Sequence, residues 1–565
     1  MSGTPGRGAA ARCAAALALA RLVAGVALAL LPALLPALLP ALAAGQSAPL
    51  VPRDDAVFVA TRKPDASDPF FAKGEIPRLE LEIDDDGMAS LRADARRYVK
   101  ATLKENGKAV YEEVAVKLKG AAGSFREVDD QPAFTLDVNR HQEEQEFHGL
   151  VKFHLNNSVQ DETRLHEWLA AELMAAAGVP APRFTQARVW LNGRDLGLYT
   201  LKEGFDKRFL ARHFKKSGGN LYDGGFCTEI DGGIEKDSGK GPDDGRDLRE
   251  LADACREADP QLRWQRIEQR LDVDAFLTFV AMELLCGHWD GYSLNVNNYR
   301  LYFEPESGRA YFLPSGMDQL FGDPEAPLLD YPNALVAEAV LRNPEWRRQF
   351  RARLSALAPL FQCKEKLAPR VKAAAKRIEP VVRAWDAAQA GAFDGRVKDL
   401  LERLEGREKS IKEQVKRPEP KTLEFDASGK ARLTGFALTV EEGEPTGEQV
   451  TTGGKRALTI VAGAQPCTAS WRKKVMLPKG RFRLVGLARV DAVAPHPDEP
   501  ESGARLRLSG GAGGSAVRGT ASWAPLSCEF EIAEESRLVE VVAELRAARG
   551  KAWFELASLK IERLP

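Results

Sequence analysis

Between Arg78 and Glu203 apolar and polar residues alternate in short runs bounded by turn formers, which is the pattern of half-buried strands. RLELEID (Arg78 to Asp84), VYEEVAVKLKG (Val110 to Gly120), PAFTLDV (Pro132 to Val138), VKFHLNN (Val151 to Asn157), ARVWLNG (Ala187 to Gly193) and GLYTLKE (Gly197 to Glu203) are such runs. The Asn192-Gly193 pair predicts a hairpin turn. One helix interrupts these strands. Asp161 is its expected N-cap, Leu165, Trp168, Leu169, Leu173 and Met174 recur at helical spacing, and Gly178 stops it. A second helix, VDAFLTFVAMELLCG, has Asp272 or Asp274 as cap and runs directly into a His288-Trp289-Asp290 loop.

Between Tyr222 and Arg249 apolar content falls away, which predicts a long solvated insertion or, as the alternative, a substrate lid or calcium loop. From Asn333 to Lys416 the period becomes helical again, and Lys416 to Thr422 reads as a linker. Beyond it, period-two segments such as CEFEI and LVEVVAEL, separated by glycine-rich turns, predict a β-sandwich. The expected organisation is therefore a signal segment (1–45), an extended lead-in (46–77), a mixed α+β domain (78–332), a helical extension (333–417) and an all-β sandwich (418–565).

The first segment differs in kind. Arg7 and Arg12 precede an Ala/Leu run ending in Ala41-Leu42-Ala43, the layout of a secretory signal cleaved near Ala43 or Ala44. An uncleaved anchor is the alternative, and prolines at 32, 36 and 40 argue against it. Export permits disulfides. Of the six cysteines beyond the signal, Cys467 and Cys528 either pair or remain buried thiols. A formal net charge of −1 gives no electrostatic case for nucleic acid or a polybasic membrane patch, and without CxxC or HExxH a zinc site has no support.

The chemistry concentrates in GHWDGYSLNVNNYRLYF (Gly287 to Phe303) and FLPSGMDQLFGD (Phe312 to Asp323). An Asp followed five residues later by an Asn, then a strand, then a second Asp is how kinase-type phosphoryl transferases place a base and metal ligands. Here these are Asp290, Asn295 and Asp318, with a hairpin of NNYRLYF and RAYFLP expected to bring Asp318 back to the loop. Two carboxylates and an Asn suit Mg²⁺.

With KLKGAAGSF, KFHLNNSVQDETRL, ARVWLNGRDLGLYTLKEGFD, NLYDGG, WDGYSLNVNNYRLY and FLPSGMDQLFG in this order, the chain resembles the CotH-type spore-coat kinases from about Arg78 to Phe361. The resemblance implies a bilobal, atypical protein-kinase-like domain that uses ATP with Mg or Mn to phosphorylate a protein acceptor outside the cytoplasm, secreted or in a bacterial envelope. It implies Asp290 as catalytic base, Asn295 or Asn297 as a metal ligand, Asp318 as the main metal ligand, and Glu203 at a hinge beside adenine. The turn Gly120, Gly123 and Ser124 would cover phosphates. Two departures stand out. Ser315-Gly316-Met317-Asp318 replaces the common W-D-x-D, and Gln131-Pro132 stands where a KP-type lysine is expected, leaving Lys119, Arg126 or Lys152 as substitutes. A catalytically weak or inactive envelope binding protein is accordingly the alternative, and a metal-dependent hydrolase using Asp290 and Asp318 is a weaker third. In the sandwich, Trp471, Trp523 and Trp553 are either core residues or a platform for a surface glycan.

Overall fold

The computed structural model describes residues 63–329, 332, 334–511 and 513–565, so the expected signal segment lies outside the described residues. The lead-in is not extended to its end. It forms helix α1 (Asp68–Lys73), and Asp65, Ser67 and Asp68 bind the Arg183 guanidinium, so this stretch is part of the mixed domain.

The first unit is a closed barrel of β1 (Arg78–Glu82), β2 (Val99–Glu105), β3 (Ala109–Lys119), β4 (Ala133–Asp137), β5 (Lys152–Asn156), β6 (Phe184–Leu191) and β7 (Arg194–Glu203). Helix α2 (Asp85–Ala93) follows β1, and α3 (His166–Ala176) lies between β5 and β6. Alternation divides the barrel faces. Val116, Leu118, Phe134, Leu136, Phe153, Leu155, Tyr199 and Leu201 fill its interior, so their neighbours Lys117, Lys119, Thr135, Lys152, His154, Asn156, Thr200 and Lys202 point outward. The β6–β7 hairpin turns at Asn192 and Gly193, both with positive φ (48° and 80°), the conformation an Asn-Gly pair adopts at least cost.

After β7 come α4 (Lys207–His213), β8 (Leu221–Asp223) and β9 (Glu235–Ser238), then α5 (Arg246–Arg256), α6 (Pro260–Arg270) and α7 (Val273–Cys286). The short α8 (Tyr292–Asn295) leads into β10 (Tyr299–Phe303) and β11 (Ala310–Pro314), and the second sheet runs β11-β10-β8-β9. The 222–249 stretch is therefore a strand pair and a helix start. Ile230 is fully buried, and the Glu229 carboxylate accepts from Tyr292 Oη (2.9 Å) and Leu335 N (2.8 Å), which ties this stretch to α8 and to the helices beyond.

The helical extension comprises α9 (Leu335–Leu341), α10 (Pro344–Leu357), α11 (Ala368–Trp385) and α12 (Ala387–Gln414). Asn343 breaks the first run: its side chain caps Glu345 N and Trp346 N, with Pro344 in the first turn. These helices join α3 and α7 in one continuous hydrophobic core. The C-terminal β-sandwich has its own core, including Leu477, Phe482, Leu484, Val541 and Phe554. It is pinned to the helices by a buried Arg263–Glu534 pair at 2.7 Å and by Arg347 donating to Ser536 Oγ at 3.1 Å. Cys467 is a free buried thiol, which decides against a Cys467–Cys528 bridge. No described helix is long and apolar enough to cross a membrane.

Candidate active site

Helix α7 is capped by Asp272, whose side chain accepts from Ala275 N, and ends at Gly287, whose left-handed φ of 69° turns the chain into the loop. One turn before that end, the buried Glu283 reaches over it. Its carboxylate accepts from Tyr292 N (2.9 Å), Ser293 N (3.0 Å) and Ser293 Oγ, capping the first turn of α8 from outside. Burial pushes Glu283 up to about 7 despite these donors. Gly291 is required here, because a Cβ at that position would lie 2.4 Å from Glu283 Oε1.

Held this way, Asp290 projects into a cage of asparagines. Its Oδ1 accepts from Asn295 and Asn297 Nδ2, and its Oδ2 accepts from Asn297 (3.1 Å) and Asn298 (2.8 Å). Asn295 and Asn297 thus converge on Asp290, with their amide nitrogens turned to it. His288 bonds Ser315 O through Nε2 at 3.1 Å, and burial lowers its pKa to about 4, so the ring is neutral.

Asp318, delivered by the β10–β11 hairpin, faces a second cluster. It is half-buried, and desolvation, followed by the nearby Glu167 charge, raises its pKa. Lys119 at the end of β3 bonds Asn156 Oδ1, and Asn156 Nδ2 donates to Glu167 Oε2 at 2.6 Å, a relay from strand lysine to helix glutamate. Lys202 on β7 is also buried: desolvation lowers it to about 8, and its Nζ donates to Ser315 Oγ at 3.2 Å. Ser315 joins the two clusters. Its carbonyl takes His288, its N–H donates to Asn298 O (2.9 Å) and its hydroxyl takes Lys202.

Two expected nucleotide-site side chains are committed elsewhere. The Glu203 carboxylate is fully buried and bound by Arg183 and Arg212, with Asp65 completing the network. Burial acts to raise its pKa, but the two guanidinium groups hold it below the usual range, so this carboxylate is an ion-pair partner, unavailable to an adenine. The half-buried Arg126 folds back onto Gly123 O and Phe125 O at 3.2 and 2.7 Å, and so braces its own turn. That turn is positioned by Asn157, which donates to Ser124 O and Gln131 O. Gly120 has a φ of 104° and Gly123 one of 84°. Ser124 Oγ accepts from Ala121 N at 3.2 Å. Lys152 lies 3.5 Å from Asp237. Gln131 donates to Leu196 O at 3.1 Å.

Lys202, Asn298 and Glu283 were not apparent from sequence. A lysine on the outer face of a strand signals solvent by default; only the packing of that face against a second layer makes Lys202 a site residue. Asn298 and Glu283 act through backbone geometry that spacing does not encode.

Among the described residues no three His, Cys, Asp or Glu side chains form a metal cluster; the carboxylates that would hold a divalent cation are the half-buried Asp318 and the buried Glu167, near enough for Glu167 to raise Asp318. Mg²⁺ needs only one or two carboxylates, the remainder coming from phosphate and water.

In the sandwich, Trp471 is a core residue, 6% exposed, whose Nε1 donates to Thr459 O. Trp553 is buried beneath Arg489 and Lys551, and Trp523 is half-buried against Lys455. Trp471 therefore contributes to no exposed aromatic platform.

The profile of the CotH kinase protein family matches residues 116–411. The Bacillus subtilis inner spore coat protein H is 26% identical over 259 residues, covering 42% of this chain and 70% of that protein. Invasin CotH2 of Rhizopus delemar is 25% identical over 189 residues, 30% of this chain and 32% of that one, so the match takes in only a third of the fungal protein. Among solved structures, a TmCBM61 carbohydrate-binding module in complex with β-1,4-galactotriose is 14% identical, covers 24% of this chain and 91% of its own, and has a TM-score of 0.17, too low to carry an argument. The family match spans the barrel from β3 onward, the Asp290 loop, Asp318 and the helical extension, and on that basis the chain belongs to the CotH kinase protein family.

Proposed function

We propose that this chain is an exported atypical protein kinase, bilobal in architecture, that transfers the γ-phosphoryl group of ATP to a protein hydroxyl with Mg²⁺ or Mn²⁺. The observation that carries this reading is that Ser315 links the Asp290 cage to Lys202, which lies beside the Lys119–Asn156–Glu167 relay and Asp318. Kinase-type transfer needs these parts: a carboxylate to orient the acceptor, a strand lysine coupled to a helix glutamate, and a carboxylate for metal.

In this reading the barrel face carrying Lys119 and Lys202 neutralises phosphate charge, and the Gly120–Ser124 turn borders the same cleft. Asp318 holds the cation, with Glu167 beside it. When bound, the cation shields charge on the transferring phosphoryl group. Asp290 orients the acceptor hydroxyl and takes its proton. Metal-dependent ATP binding that survives Asp318→Ala in a folded protein would refute this assignment.

A second reading, a CotH-like envelope protein that binds a glycan or protein without turnover, draws on one specific observation. Four amide-to-carboxylate contacts fill the lone-pair sites of Asp290. An acceptor hydroxyl must displace an asparagine, and a protein whose cage never opens would be inactive.

A further inference from the structure

The outer faces of β3, β5 and β7 bring Lys119, Lys152, His154 and Lys202 under the second sheet, where β10 contributes Arg300. Register places His154 directly beside Lys202. Burial, and then Lys119, Lys202, Lys152 and Arg300, hold His154 well below its usual pKa and therefore neutral. Four basic side chains thus converge on one half-buried imidazole. Asp223 and Asp237 face Arg300 and Lys152, and Glu167 and Asp318 act on Lys119 and Lys202.

Arg300 and Lys202 are unusual within this group. Arg300 Nη2 meets Asp223 at 2.7 Å, whereas Nη1 lies 3.6 Å from Asp237, beyond hydrogen-bond range. Arg300 Nε and Nη1 are buried and without a hydrogen-bond partner among the described residues. Lys202 donates to Ser315 Oγ, which uses one of three ammonium protons. Both cations approach the same ring: Lys202 Nζ lies 5.2 Å and Arg300 Cζ 5.3 Å from the Phe205 centroid. Buried N–H groups are almost always satisfied. Unsatisfied donors on a forked guanidinium, beside a dry ammonium, define a seat for a tetrahedral oxyanion.

We propose that Lys202 and Arg300 form the principal phosphate seat of the cleft, gripping the polyphosphate of a nucleotide from its two facing sheets, with Asp237 on β9 as the counter-charge that the incoming phosphates displace. This rests on the kinase reading for the nucleotide and on the free donors for the phosphate. It accounts for Gln131 where the resemblance leads one to expect a lysine: the cation absent ahead of β4 is supplied from β7.

The test is calorimetric titration of the whole chain with tripolyphosphate, ATP and adenosine, without metal and at low salt. Lys202→Met and Arg300→Gln are each expected to weaken tripolyphosphate and ATP at least tenfold and to leave adenosine unchanged. Asp237→Asn, which removes the acid 3.5 Å from Lys152 and 3.6 Å from Arg300 Nη1, is expected to tighten tripolyphosphate several-fold, a gain that misfolding cannot produce. Wild-type affinity for tripolyphosphate in the folded Lys202 and Arg300 variants, or an Asp237→Asn variant that binds no tighter, would overturn the seat. Tripolyphosphate binding that follows this pattern without any phosphoryl transfer would uphold the seat and refute the kinase reading alone.

Discussion

Gly316 and Asn298 occupy space that only one side chain can fill. A Cβ on Gly316 would lie 2.0 Å from Asn298 Oδ1, and the Gly316 φ of 53° already disfavours other residues. Because Asn298 Nδ2 donates both to Asp290 Oδ2 and to Asp290 O, the glycine is what lets the third asparagine reach the cage. The departure from W-D-x-D at this position is thus coupled to a compensating feature one strand away.

Restoring an acid at that position should fail alone. Gly316→Asp is expected to lose about 2 kcal/mol or more from the clash and the strained backbone, measured by urea denaturation. Adding Asn298→Gly should recover part of the loss. Additive losses in the double variant would mean that the two sites are not coupled.

Glu283 should matter for the loop more than for the helix that bears it. Glu283→Ala leaves three buried donors unmet, a cost of about 3 kcal/mol. Hydrogen exchange is expected to show the greatest loss of protection at Tyr292 and Ser293, with Glu283→Gln recovering part of it. Uniform loosening across α7 would contradict the external-cap role.

Acid should destabilise the loop through His288. Its pKa is lowered from 6.5 to about 4, so as pH falls below 6.5 the unfolded chain binds a proton that the native ring refuses. Stability drains from about pH 6.5 to pH 4, by on the order of 3 kcal/mol in all, and this contribution is flat below that range. Denaturation midpoints measured across this range should fall less steeply in His288→Gln.

Glu203 should prove structural. Glu203→Ala strands Arg183 and Arg212 in a buried setting and is expected to cost about 3–5 kcal/mol, while ATP affinity of the fraction that remains folded is unchanged. A selective tenfold loss of ATP affinity with stability intact would instead return Glu203 to the nucleotide site.

Local rules carried much of the fold. Asn192-Gly193 set a hairpin and Asp272 a helix start because both effects act over a few residues. Asp161 shows where such rules stop: its carboxylate accepts from His166 N at 2.8 Å, but the intervening residues form a turn and α3 starts four residues later than a direct cap would place it. The polar 222–249 stretch looked solvated because its anchors are few, Ile230 and Glu229 among them. In the site, the neighbourhood of Asp290 and Asn295 was legible from spacing along one loop. Lys202, Arg300 and the fate of Glu203 were not, because each depends on which strand face meets the second layer.

Phosphoryl transfer is measured by incubating the purified chain with γ-labelled ATP, Mg²⁺ or Mn²⁺ and a generic acceptor protein, beside Asp290→Asn and Asp318→Ala. Label is expected on protein with the native chain, and at least a hundredfold less with either variant. Absence of transfer from a folded native chain, or transfer indifferent to both substitutions, would contradict the kinase reading.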